Sequence, residues 1–92
     1  MPDMDEAWKE METILETAVN DWKYKRPNYG DAFLELGAKG QFSEIWRKVK
    51  KLQTEVWEGQ PLVGETATQV AMEIIPHCLM MVYCLHHQKL NA

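Results

Sequence analysis

The sequence has few of the features that mark secreted, disulfide-bonded or membrane-spanning chains. It contains two cysteines, Cys78 and Cys84, and its start is acidic rather than that of a signal peptide. Six residues along one helix turn the chain by ~240°, so these two thiols are not expected to pair within the chain. The longest apolar stretch, residues 70–85, contains a glutamate, a proline and a histidine and is shorter than the ~20 residues that span a bilayer. We therefore expect a cytoplasmic protein without a membrane partner.

The sequence also lacks strand-like alternation, internal repeats and low-complexity segments. Its 92 residues are too few for two domains, and 46% apolar with 26% charged residues is typical of a folded chain. We expect a single all-α domain over residues 1–92. Four tryptophans are many for this length, and part of their surface is expected to lie in a subunit interface of a homo-oligomer, a dimer or a tetramer.

Charge is divided unevenly along the chain, although the net charge is only -4. Residues 1–21 hold seven acids and one lysine, residues 22–51 eight bases and three acids, and residues 52–92 four acids and one lysine. An acidic total disfavours binding to duplex nucleic acid. A basic centre between acidic ends instead suits a small anionic ligand, with acids left for a cation.

Helical periodicity predicts three helices in the part of the chain before the GQPLVG connection. Apolar residues at steps of three and four predict a helix over about residues 5–23, which ends before the turn-forming segment KRPNYGD. A short helix over residues 32–36 is expected to stop at Gly37. A second long helix is predicted over about residues 41–58.

After the GQPLVG connection, a third long helix is predicted over about residues 65–89, with a kink near Pro76. This helix is apolar nearly all round, which predicts that it is central and buried. The expected architecture is a bundle of three long helices and one short helix, completed by oligomerisation.

Glu73 is the most informative residue because its helical neighbours are apolar. An isolated buried carboxylate is unfavourable, so Glu73 requires a partner. One candidate is an ion pair with a base of the preceding helix, which could be Arg47, Lys48 or Lys51. The other candidates are a divalent cation shared with Glu44 and a carboxyl group that stays protonated and neutral.

Glu65, Gln69, Glu73 and His77 follow each other at steps of four and form a polar ladder on one helix face. Glu65 and Glu73 would be ~12 Å apart along the axis, too far to bind one Mg²⁺ directly. Taken singly, Glu65 is most often a first-turn acid favoured by the helix dipole, and His77 a hydrogen-bonded core histidine.

The basic run RKVKK, residues 47–51, is usually a solvated face of a helix. Its functional alternative is phosphate binding, because Arg47 and Lys51 lie one turn apart and could hold an anion together.

The segments NYGDAF, GAKGQFSEIWRKVKKL and GETATQVAMEIIPHCLM occur in this order around a Gly/Pro connection. This arrangement, over roughly residues 20–88, resembles the nucleotide modification associated domain 1 family. These are small proteins common in phages and prophages, with a fold related to the all-α MazG-like nucleotide pyrophosphohydrolases. The resemblance implies a MazG-like fold, Mg²⁺ held by helix-borne carboxylates, and hydrolysis of a nucleotide to a monophosphate and pyrophosphate. A phage-encoded chain would act in the host cytoplasm.

The resemblance also implies roles for individual residues. Glu44 and Glu73 would be catalytic carboxylates and metal ligands, with Glu65 as a further ligand. The phosphates would meet three bases, which are Arg47, Lys48 and Lys51. The nucleoside would lie against four polar side chains, which are Tyr29, Asp31, Gln69 and His77.

Three hypotheses follow. The first is a MazG-related protein that binds a nucleotide and hydrolyses it with Mg²⁺. The second is a noncatalytic protein that sequesters a nucleotide or nucleotide-derived signal. It is favoured by Gln69 and Arg47, which stand where many relatives carry acids. The third is a structural or host-protein-binding helical oligomer, in which the basic run is solvated.

Overall fold

The computed structural model describes residues 3–29 and 32–87, and of residues 26–29 and 32–34 it describes the backbone alone. Within these residues the chain is helical, and it contains no strand. The elements are α1 (Met4–Tyr29), α2 (Ala32–Leu52), a π-helical turn (Gln53–Trp57) and α3 (Ala67–His87). The predicted all-α class with three long helices is confirmed.

The first helix begins at a side-chain cap. Oδ1 of Asp3 accepts a hydrogen bond from the backbone N–H of Glu6 at 2.8 Å, which satisfies one of the free donors of the first turn. The prediction that this helix ends near residue 23 is wrong, because α1 continues to Tyr29. Proline's fixed φ is compatible with a helix, and Pro27 removes a single hydrogen bond close to the helix end.

The second helix is interrupted where the sequence predicts it. Gly37 has φ 59° and ψ -147°, a backbone conformation that only glycine adopts readily, and it separates a short helical segment from a long one. Gly40 permits the close approach of the two segments. A Cβ at Gly40 would lie 2.5 Å from the Cβ of Leu36.

The end of the second helix widens into the π-helical turn. The N–H of Glu58 donates to the carbonyl of Gln53 at 3.0 Å, a bond that spans five residues. The turn stops before Gly59, whose φ is 75°. It also brings Glu55 to the start of α3, where Oε2 of Glu55 accepts a hydrogen bond from the N–H of Ala67 at 3.0 Å.

A capping box starts the third helix. The N–H of Gln69 donates to Oγ1 of Thr66 at 3.1 Å, and the N–H of Thr66 donates to Oε1 of Gln69 at 2.8 Å. The helix therefore begins at Ala67, two residues later than predicted, and Glu65 precedes it. It continues through Pro76, where a kink stays a prediction. Its expected end near Lys89 lies outside the described residues.

The third helix is central, since both α1 and α2 pack mainly on it. It is not buried in a single chain, however, because only four of its residues are, namely Val70, Pro76, His77 and Met80. The other buried residues of the described part of the chain are Ala18, Gln41 and Lys48. Around a core this small, many large apolar side chains of the described residues are exposed, among them Trp8, Trp46 and Tyr83.

The length and composition of α3 also meet the criteria for a membrane span. It has 21 residues and a mean hydropathy of 1.3, with 22% of its most apolar part buried in the chain. The core helix of a water-soluble protein can pass the same test. The cytoplasmic location therefore stays a prediction.

Candidate functional site

A cleft of about 430 Å³ lies between the C-terminal half of α1 and the N-terminal half of α3. The first helix contributes Ala18, Asp21, Trp22 and Lys25. The third helix and the segment before it contribute Gly64, Glu65, Thr68, Gln69, Met72, Glu73 and Pro76. This volume falls in the range of small-molecule sites, and the lining combines an aromatic ring with charges of both signs.

Glu73 connects this cleft to the interior. Its Oε2 lies 3.0 Å from Nζ of Lys48, whose side chain is only 8% exposed, whereas that of Glu73 is 37% exposed. Of the three bases considered from the sequence, Lys48 is the partner of Glu73. The carboxylate thus compensates a buried ammonium of α2 and also lines the cleft.

A second ion pair joins the same two parts of the chain. Nζ of Lys51 lies 2.9 Å from Oε1 of Glu65, and both side chains are about one third exposed. The hydrogen bond from Lys51 holds the pKa of Glu65 below its ordinary value. Lys48 and Lys51, one turn apart on α2, therefore pair with two carboxylates that line the cleft.

Glu44 is paired within α2, although its carboxylate also lies near enough to Lys48 and His77 to interact with them electrostatically. Its Oε2 accepts a hydrogen bond from Nη2 of Arg47, one turn along α2, at 2.8 Å, and both side chains are about half exposed. This bond holds the pKa of Glu44 below its ordinary value and raises that of Arg47. Neither residue is among those that line the cleft. Glu44 and Glu73 are thus each paired with a base of α2, Arg47 and Lys48 respectively, and a cation shared by the two acids stays a prediction.

His77 is buried behind the cleft. Its Nδ1 lies 2.7 Å from Oε1 of Gln41 on α2, and since an amide oxygen only accepts, Nδ1 carries the proton of this bond. Burial, followed by the charge of Lys48, lowers the pKa of His77, which favours a neutral ring. The ring meets Trp22 edge-on, with centroids 5.0 Å apart. His77 thus fixes the tryptophan that forms one wall of the cleft.

Of the other three side chains predicted to contact the nucleoside, one lines the cleft and two are not described by the structure. Gln69 lines the cleft, but its Oε1 already accepts the capping bond from Thr66. The side chain of Tyr29 and the whole of Asp31 lie outside the described residues.

The predicted metal ligands do not form a metal centre in the described part of one chain. Across residues 3–29 and 32–87, no three His, Cys, Asp or Glu side chains come together in positions that could hold a metal ion. Glu44, Glu65 and Glu73 are each paired with a base instead. As arranged, these residues do not fit Mg²⁺, which requires several oxygens at ~2.1 Å.

The site residues predicted from the sequence do not include the charged and aromatic side chains that α1 contributes to the cleft, which are Asp21, Trp22 and Lys25. Trp22 belongs to the apolar stripe of α1, and such a stripe usually marks a core. Asp21 and Lys25 lie one position before it and three after it, so they border the same face. An acid and a base beside a terminal tryptophan of the stripe could have indicated a site.

No protein-family model matches the chain, and no solved structure is significantly similar to it. The resemblance to the nucleotide modification associated domain 1 family therefore rests on the sequence motifs, and it stays a prediction.

Proposed function

We propose that this chain is a MazG-related protein that binds a nucleotide in the cleft between α1 and α3. The observation that carries the proposal is the arrangement of two lysine–carboxylate pairs whose acids, Glu65 and Glu73, line a cleft beside Trp22 and Lys25. The arrangement supplies cations for phosphate and an aromatic ring for the base.

Phosphate binding would begin at Lys25 and Lys51. Lys25 lines the cleft and forms no ion pair with any described residue, so its ammonium is available to an anion. Lys51 is one third exposed and pairs with Glu65 at the surface, where such a pair contributes little stability. A phosphate carries more charge than a carboxylate and offers more acceptors, so it competes well for this lysine.

The base would pack against the apolar side of the cleft. Trp22 is held by His77, and Met72 and Pro76 of α3 line the same space. Stacking of a base on an aromatic ring contributes about 1–3 kcal/mol and tolerates any base. The proposal therefore names nucleotides as a class.

Binding without turnover is the form of this function that the side chains favour. Glu44, Glu65 and Glu73 each have a basic partner, and the carbonyl oxygen of Gln69 belongs to the helix cap. The proposed role is sequestration of a nucleotide or of a signal made from one.

Hydrolysis to a monophosphate and pyrophosphate with Mg²⁺ is the second candidate. It is favoured by the presence of three carboxylates, Asp21, Glu65 and Glu73, among the residues that line the cleft. It requires that Glu65 and Glu73 leave their lysine partners.

The first experiment measures binding by calorimetry with nucleoside mono-, di- and triphosphates, with and without Mg²⁺. We expect Lys25→Met to weaken binding about ten-fold, the effect of one charge-assisted hydrogen bond. Lys50→Met is the matched control, because Lys50 lies over the ring of Trp46 and not in the cleft. Absence of binding by every nucleotide, in either condition, would contradict the proposal.

The second experiment separates the two candidates. The protein is incubated with each nucleotide and Mg²⁺ or Mn²⁺ and then denatured, and the ligand is analysed. Sequestration predicts recovery of the intact nucleotide. Hydrolysis predicts release of pyrophosphate, which Glu73→Gln should abolish.

A further inference from the structure

The first half of α1 carries an apolar seam with no cover from the described part of the chain. Met4, Trp8, Met11 and Leu15 follow each other at steps of four, three and four, the spacing of a coiled-coil seam. Their side chains are between 42% and 61% exposed. The seam continues into Ala18, which is buried, and Trp22, which packs at the cleft. One helix thus has a covered half and an uncovered half.

The outer face of α2 and the π-helical turn carries a second uncovered apolar surface, here named the α2 ridge. It consists of Phe42, Trp46, Val49, Val56 and Trp57, with exposures from 46% to 85%. Phe42 and Trp46 stack with centroids 6.1 Å apart, and Nζ of Lys50 lies 5.3 Å from the ring of Trp46. The ridge is therefore an ordered aromatic surface with a cation on it.

The surface of the chain is also larger than that of a compact monomer. Its accessible area is 7465 Å², whereas a compact protein of 10.7 kDa exposes roughly 5,500 Å². Its radius of gyration is 15.2 Å, compared with about 12 Å for a compact chain of this length. The excess area, of the order of 2,000 Å², exceeds the ~800 Å² that each partner buries in a standard interface.

Charge selects between the possible pairings of these surfaces. Asp5 and Glu12 flank the α1 seam, so two seams paired with each other would bring acids together. Along the ridge between residues 39 and 50, α2 exposes three bases, Lys39, Arg47 and Lys50, against one half-exposed acid, Glu44, so this surface carries net positive charge. The seam, from Met4 to Leu15, is about 17 Å long, and the ridge is about 20 Å long.

We propose that two copies of this chain associate reciprocally, with the α1 seam of each copy packed on the α2 ridge of the other. A two-fold axis makes both contacts equivalent and closes the assembly. This proposal is independent of nucleotide binding.

The first test is the mass of the chain in solution, measured by sedimentation velocity over a range of concentrations. We expect twice 10.7 kDa for the natural sequence and a monomer for both Trp8→Asp and Trp46→Asp. Tyr24→Asp is the control, since Tyr24 is 87% exposed and belongs to neither surface. It should leave the dimer intact. Circular dichroism of each variant identifies any that fail to fold.

The second test reverses charges at exposed positions, which should not disturb folding. Asp5→Lys with Glu12→Lys should weaken the dimer ten-fold or more, and so should Lys39→Glu with Lys50→Glu. All four changes together should restore association, because each interface then joins a basic seam to an acidic ridge. Absence of restoration, or a seam-reversed variant that dimerises normally, would overturn the pairing.

A monomer at all concentrations would overturn the proposal as a whole. Flotation of the natural chain with vesicles of neutral lipid completes the experiment. A monomer that floats with the vesicles would assign the apolar surfaces to a membrane instead.

Discussion

A helix in a small soluble domain usually turns its apolar face inward and its polar face towards solvent. In α2, polar side chains face inward and aromatic side chains face outward. The inner face directs Gln41 and Lys48 into the chain, where they bond to His77 and Glu73 of α3. The outer face directs Phe42 and Trp46 towards solvent. Buried polar side chains thus join two helices of one chain, while the aromatic side chains of the outer face are more than half exposed.

This difference shows that an apolar stripe on a helix does not by itself indicate whether the stripe packs within its own chain or against another one. Polar pairs contribute less net stability than apolar packing of the same volume, but they fix the rotation and register of two helices. Apolar surface contributes wherever it is covered, by the same chain or by another. The folding of this chain and its proposed association are therefore expected to depend on different faces of one helix.

The largest loss of stability is expected from a substitution on the outer face of α2. Trp46→Ala should lower the free energy of unfolding of the associated chain by about 3 kcal/mol, the cost of truncating a covered aromatic residue. Tyr24→Ala should change it by less than about 0.5 kcal/mol. Urea unfolding at two protein concentrations measures both. A similar small effect for the two variants would show that Trp46 is exposed in solution.

A smaller loss is expected on the inner face. Glu73→Gln leaves the buried ammonium of Lys48 without a counter-charge and should cost about 2 kcal/mol, below the value for a fully buried pair because Glu73 is partly exposed. The double variant Lys48→Met with Glu73→Leu should recover most of this loss. Urea unfolding of the two variants measures the difference, and an equally unstable double variant would contradict the explanation.

Lowering the pH should reduce the stability of the folded chain, because His77, which bonds to the inner face of α2, becomes protonated. Burial and Lys48 hold the folded-state pKa of His77 below its ordinary value of 6.5, so the unfolded chain binds the proton more readily. The histidine's contribution to stability should be complete above pH 6.5 and decrease as the pH falls through the folded-state pKa. Thermal unfolding between pH 7 and pH 5 measures this decrease.

Two variants test the assignment to His77. His77→Asn should flatten the pH dependence between pH 7 and about pH 5.5, and His86→Gln, at an exposed histidine, should preserve it. Glu44 and Glu65 contribute little in this range, because the unfolded chain protonates these carboxyl groups only near their ordinary pKa of 4.5 and the folded chain protonates them below it. A pH dependence that survives His77→Asn would assign it to another group.

The smallest effect is expected at the exposed pair on α2. Glu44→Gln removes the ion pair with Arg47 and should cost under about 0.5 kcal/mol, since surface pairs are screened by solvent. The same urea experiment measures it. A loss as large as that of Glu73→Gln would indicate a role for Glu44 beyond this pair.

The sequence predicted the helices well because their signals are local. The division of α2 at Gly37 and the end of the helical run before Gly59 follow from the backbone freedom of glycine, and both are seen. The T-x-x-Q capping box at Thr66 sets the start of α3 at Ala67, two residues after the predicted start. The predicted end of α1 near residue 23 is wrong, because Pro27 lies within the helix and does not end it.

The sequence predicted some of the residues of the site, but not how they are arranged. The need of Glu73 for a charged partner followed from its apolar neighbours, but three bases were equally possible. Lys48 rather than Arg47 is the partner because α2 turns the former inward and the latter outward. That rotation is fixed by contacts across helices, such as the bond between Gln41 and His77.

The sequence by itself determined where the backbone could be helical and where it had to break, because these properties depend on residues within one or two turns. It also indicated that one carboxylate of the last helix, Glu73, was unfavourable without a partner. Only the tertiary structure decided which face of α2 turns inward and that α1 and α3 enclose a cleft. Both features depend on how residues far apart in the chain pack against each other, and a local sequence pattern does not contain that information.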